Sequence, residues 1–141
     1  DVIYGEQGAL NLSTSLANIL LDAGAQEYTT NQVHEEARNV TGFSHYIRAC
    51  WGAANPVDDV LGDLLDDLIR TPVVFKKLGG TQILLEGLAF ANFHNHALDP
   101  VMRRSVQRVI TGEAFHWKLE KIWTDKTICN RSVEERDRVE D

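Results

Sequence analysis

The chain contains no uninterrupted apolar run of the roughly 18 residues that cross a bilayer, although 43% of its 141 residues are hydrophobic. The apolar residues therefore have a core to build, and the length suits one domain. Cysteine is scarce: Cys50 and Cys129 stand far apart, match no metal-site spacing and no C-x-x-C pair, and leave one disulfide or two inert thiols open. Cys50, flanked by Tyr46, Ile47 and Trp51, reads as a core thiol. No stretch alternates with a period of two between hairpin signals, so no sheet is expected. Basic residues are the minority, 14 against 21 acids, and the net charge of −7 argues against nucleic acid as the default partner. G-x-S-x-G, H-E-x-x-H, P-loop and dinucleotide fingerprints are all missing. With no candidate reaction, the chain reads as non-enzymatic.

What the sequence does contain is helical periodicity. In NPVDDVLGDLLDDLIR, Val57, Val60, Leu61, Leu64, Leu65, Leu68 and Ile69 fall on one stripe, with Asn55 as cap and Pro56 in the first turn. The opposite face holds Asp58, Asp59, Asp63, Asp66 and Asp67. Further helices are expected over 6–23, 32–39, 45–51, 73–78, 82–93, 100–111 and 113–126, separated by Gly24, the Thr30–Asn31 cap, Gly42, Gly52, the Gly79–Gly80 pair and Gly112. On the last of these, Phe115, Leu119, Ile122 and Trp123 share an apolar side, and before it Met102, Val106, Val109 and Ile110 face inward. The expected architecture is an all-α, single-domain bundle of about seven or eight helices over 1–131, followed by a charged, frayed or helical tail over 132–141.

Charge is segregated. Residues 1–70 carry −8, residues 71–131 carry +4 and the tail −3. The exposed acids Asp59, Asp63, Asp66 and Asp67 and the basic Arg103, Arg104 and Arg108 are thus candidate partner-binding surfaces, in a module that self-associates or binds another protein. The bland alternative for each is a solvated helix face. The same three arginines are the contacts of an alternative, weak nucleic-acid-binding reading, and VHEEARNVTGFSHYIRACW has a helix-turn-helix look in which Ala37, Gly42 and Ile47 hold the small, glycine and aliphatic positions.

His94 and His96 in NFHNHALDP, two residues apart with Asp99 nearby, are of the types that ligate zinc or nickel, with His116, His45 and His34 on other helices as the further candidates a closed site needs; their bland reading is a solvated polar loop. Three N-x-S/T sequons, at Asn11, Asn39 and Asn130, lean towards a secreted chain, and a start at Asp1 rather than Met suggests processing.

Two resemblances follow from these motifs. DLIRTPVVFKKLGGTQILLEGL resembles armadillo and HEAT repeats, which implies a protein-binding solenoid over Val57 to Gly112. FHNHALDPV resembles the proximal turn of haem globins, which implies a globin-like ligand or haem carrier with His94 as the iron ligand. A second globin register, on Asn55–Pro56 and FKKLGG, places Ser105 at the proximal position and implies that fold without haem. Otherwise no cofactor and no membrane association are expected.

Overall fold

The computed structural model describes residues 2–80 and 100–129. Within them the chain is all-α: α1 Val2–Ile19, α2 Ala23–Trp51, α3 Asp59–Arg70, α4 Val74–Gly79 and α5 Pro100–Cys129, with no strand among the described residues. No helix there is long and apolar enough to cross a membrane. The expected helix over 82–93, the tail over 132–141, His94, His96 and Asp99 lie outside the described residues.

The expected seven or eight helices are not found: the described residues, which hold every expected stretch but 82–93, form five, because the stops at Gly42 and Gly112 are overridden and the helix expected from Gln32 starts earlier. Thr29 and Thr30 do not cap a new helix; their hydroxyls donate back to the carbonyls of Ala25 and Gln26, so α2 runs on. Gly42 sits inside α2 and Gly112 inside α5. A glycine costs only about 1 kcal/mol in a helix interior, less than the burial of a helix against its neighbours returns. One consequence is that VHEEARNVTGFSHYIRACW is continuous helix and lacks the turn a helix-turn-helix needs. The stop that does hold is Gly52, whose φ of 79° supplies the left-handed residue that ends α2.

The caps are carboxylates. Asp22 accepts from Ala25 N–H at 2.9 Å and starts α2 two residues before Gly24, which is no terminator. Asp58 accepts from Val60 and Leu61 N–H, so α3 begins three residues later than an Asn55 cap would place it. At the other end of α3 the buried Lys77 of α4 donates its ammonium to the carbonyls of Leu68 and Ile69, and burial holds its pKa below the usual lysine range.

α1 and α2 form the most extensive helix pair, α3 and α4 pack on α1, and α5 packs on α2 and α4. Two apolar clusters result. Ala9 and Leu12 of α1 meet Leu65 of α3, with Leu61, Leu68 and Ile69 around them. Phe43 of α2 meets Val106 and Val109 of α5, with Val2, Met102 and Ile110 around them.

The continuity of α5 also corrects its inward face. With Val106 and Val109 inside, the helical period carries Glu113 and His116 inside as well and turns Phe115 (69% exposed) and Ile122 (42%) outward. The end of α2 is likewise on the surface: Cys50 is a free, exposed thiol rather than a core one, and Trp51 is exposed beside Tyr46.

Candidate metal centre

On three helices an inward apolar line is continued by ionisable residues. α1 runs from Val2 through Glu6 to Ala9, α2 from Gln32 through Glu36 and Asn39 to Phe43, and α5 from Val106 and Val109 to Glu113 and His116. Glu36 and Asn39 share a helix face, and so do Glu113 and His116, because three residues are close to one turn. The four ionisable groups are among the most deeply buried in the molecule, with exposures of 6% for Glu6, 1% for Glu36, 5% for Glu113 and 3% for His116.

His116 is the hub. Its Nδ1 lies 3.2 Å from Glu113 Oε2 and 3.4 Å from Glu36 Oε1, while its Nε2 is hydrogen-bonded to Glu35 Oε2 at 2.8 Å. Tyr28 stands edge-on to the imidazole with ring centres 6.4 Å apart. Gly112 makes room for Glu35, since a side chain there would come within 3.3 Å of the Glu35 carboxylate. Glu6 completes the group, close enough to Glu36, Glu113 and Asn39 for each to act on its carboxyl. Asn39, one of the three sequon asparagines, is half-buried.

The electrostatics show how costly the arrangement is without a cation. Burial first, then the charge and hydrogen bond of Glu36 and the charge of Glu113, push Glu6 up from the usual carboxylate range to about 9. Burial also raises Glu113, against the pull of its hydrogen bond with His116. For His116 burial acts downward, but the hydrogen bond of Glu113 and the charges of Glu113 and Glu36 outweigh it and lift the imidazole to about 11. Protons thus neutralise the cluster. Neither oxygen of Glu36 nevertheless makes a well-formed hydrogen bond, its nearest donor being His116 Nδ1 at 3.4 Å, which buried carboxylates rarely tolerate.

A metal ion answers both problems. One donor atom each from Glu36, Glu113 and His116 can be chosen so that all lie within 4.8 Å of one another, and ligand atoms around a shared ion need only contract slightly to reach bond lengths of about 2.1 Å. Nδ1 of His116 would be the ligating nitrogen, because that atom faces Glu36 and Glu113. Its Nε2–H then donates to Glu35, the outer partner that fixes the ring and its tautomer.

Of these residues the sequence points only to His116, as a further candidate ligand for a site at His94 and His96; the glutamates are not singled out by it. The available signal was the Glu-x-x-His spacing of 113 and 116 and the acids that interrupt the inward lines of α1 and α2. The other residues singled out lie elsewhere. Asp59, Asp63, Asp66 and Asp67 are exposed on α3, Asp66 being paired with Arg70 at 2.8 Å, and Arg103, Arg104 and Arg108 are exposed on α5. No family model matches the chain, and neither a curated protein nor a solved structure does.

Proposed function

We propose that the chain is a non-haem metalloprotein whose bundle core holds iron or manganese on Glu36, Glu113 and His116, with Glu6 as a further carboxylate ligand. The observation that carries this reading is Glu36, a carboxylate 1% exposed with neither oxygen in a well-formed hydrogen bond, 3.4 Å from an imidazole nitrogen and beside two further buried carboxylates. Glutamates and Glu-x-x-His pairs on facing helices are how bundle cores bind these ions. Carboxylates with a single imidazole suit iron and manganese better than zinc, which favours thiolates and several histidines, or calcium, which favours loop oxygens.

Three or four protein ligands leave positions open on such an ion, so the centre is of the reactive rather than the structural kind. The reaction class that fits is oxidation, of the bound ion or of an organic substrate, with dioxygen as oxidant. Anaerobic titration with Fe(II), followed by metal analysis and oxygen uptake, tests it. Retained iron and uptake that both vanish in Glu36→Ala and His116→Ala are expected; a wild type that keeps neither iron nor manganese through desalting overturns it.

A second reading, the non-enzymatic self-associating module, keeps one supporting observation: the acidic face of α3 and the basic face of α5 are both open to solvent. Light scattering of wild type against Asp63→Lys with Asp67→Lys tests it, and a wild type monomeric at every concentration removes it.

A further inference from the structure

Beside the candidate centre, on the side of the Phe43–Val109 cluster, α2 and α5 leave an open pocket of about 420 Å³. That volume is within the range of sites for small organic ligands. Its walls have two characters. Arg38 of α2 and Arg108 of α5 bring two guanidinium groups to it from opposite helices, while the buried Phe43 and Val109 give it an apolar floor. Neither arginine makes an ion pair with a carboxylate among the described residues. Asn39 also lines the pocket, and the same side chain lies close enough to Glu6 to act on its carboxyl. One residue therefore separates the pocket from the carboxylates of the centre.

We propose that this pocket binds a small organic carboxylate, its head on Arg38 and Arg108 and its apolar body against Phe43 and Val109. Paired guanidinium groups match a carboxylate with charge-assisted, bidentate hydrogen bonds, and an apolar floor selects an acid with a hydrocarbon body over a bare inorganic anion. That the ligand is the substrate of the centre rests on the metal reading above; the pocket and its chemistry do not.

Benzoate is the probe, titrated into the metal-free protein by calorimetry with benzamide and inorganic phosphate as controls. Benzoate is expected to bind, and Arg38→Met and Arg108→Met each to weaken it roughly tenfold or more. Benzamide, which keeps the shape and loses the charge, is expected to lose a similar factor. Gly42→Phe gives an independent arm: Gly42 lines the pocket and a Cβ there would meet nothing within 4 Å, so the ring starts in open space, and with a circular dichroism spectrum matching wild type binding should be abolished. No benzoate binding at about 10 mM, an affinity unchanged in both arginine variants, or tighter binding of phosphate than of benzoate would overturn the proposal. Loading with Mn(II) then places the ligand: paramagnetic broadening of the benzoate proton signals is expected, and sharp signals with manganese bound and benzoate bound would overturn its position beside the centre. Manganese content is measured separately, so a failed metal centre is not mistaken for a failed pocket.

Discussion

The two interiors of this bundle obey opposite rules. Where α1 meets α3, Ala9, Leu12 and Leu65 are packed hydrocarbon, and each buried group adds to stability. Where α1, α2 and α5 converge, Glu6, Glu36, Glu113 and His116 are equally hidden from water, and each carboxylate costs stability until a proton or a cation compensates it. The first region holds the protein together. The second is tolerated because the first exists, which is the usual relation between a core and a functional site inside it.

The largest expected effect falls on the apolar side. Leu12 is fully buried, and Leu12→Ala should lower the unfolding free energy by about 3 kcal/mol in urea titrations. The loss should be the same with and without metal, and a loss that disappears on metal loading would break the separation of the two regions. Glu36→Met should couple stability to the ion. Removing one partner of the buried pair with His116 should lower the stability of the metal-free protein by about 2 kcal/mol and abolish metal retention and any stabilisation by added metal, and a variant that still retained metal would show that Glu36 is a structural residue rather than a ligand.

Acidity separates the regions further. Glu6 holds its proton to about pH 9 when folded and the unfolded chain releases it near 4.5, so its contribution is complete below 4.5 and is lost as the pH rises towards 9. His116 acts in the same direction, complete below 6.5 and lost towards 11. The melting temperature of metal-free protein should therefore fall between about pH 5.5 and 8.5. Metal ligation needs those protons removed, so stabilisation by Mn(II) should grow over the same interval. A metal-free Tm that rises across the interval would contradict the buried, protonated cluster.

Much of the fold is legible in the sequence, and little of the site is. The helices at 2–19, 59–70 and 74–79 are legible in kind, though the first is expected over 6–23 and the second from an Asn55 cap, because apolar period and the Thr71–Pro72 restart act within one or two turns. The length of α2 and α5 is not legible, since Gly42 and Gly112 look like stops until the neighbouring helices are in place. That error propagates. Cutting α5 at Gly112 releases its phase, so Phe115 and Ile122 are assigned to the core and Glu113 and His116 are not. The centre needs residues 6, 36, 113 and 116 brought together by packing, and no local rule places an acid of α1 beside one of α5.

The smallest effect sharpens the comparison from outside. Asp63, Asp66 and Asp67 are the more conspicuous carboxylates in the sequence, aligned on one face of α3, yet water already solvates them and Asp66 is paired with an exposed arginine one turn away. Such a pair contributes about 0.3–0.5 kcal/mol. Asp66→Ala should therefore lower stability by no more than that, with no change in metal content and no dependence on whether metal is present. It should also respond to salt, since an exposed pair is screened at high ionic strength, whereas the buried cluster is shielded from the added ions. An Asp66→Ala variant that lost metal would overturn the distinction, because it would mean that the acidic face of α3, rather than the buried glutamates, collects the ion.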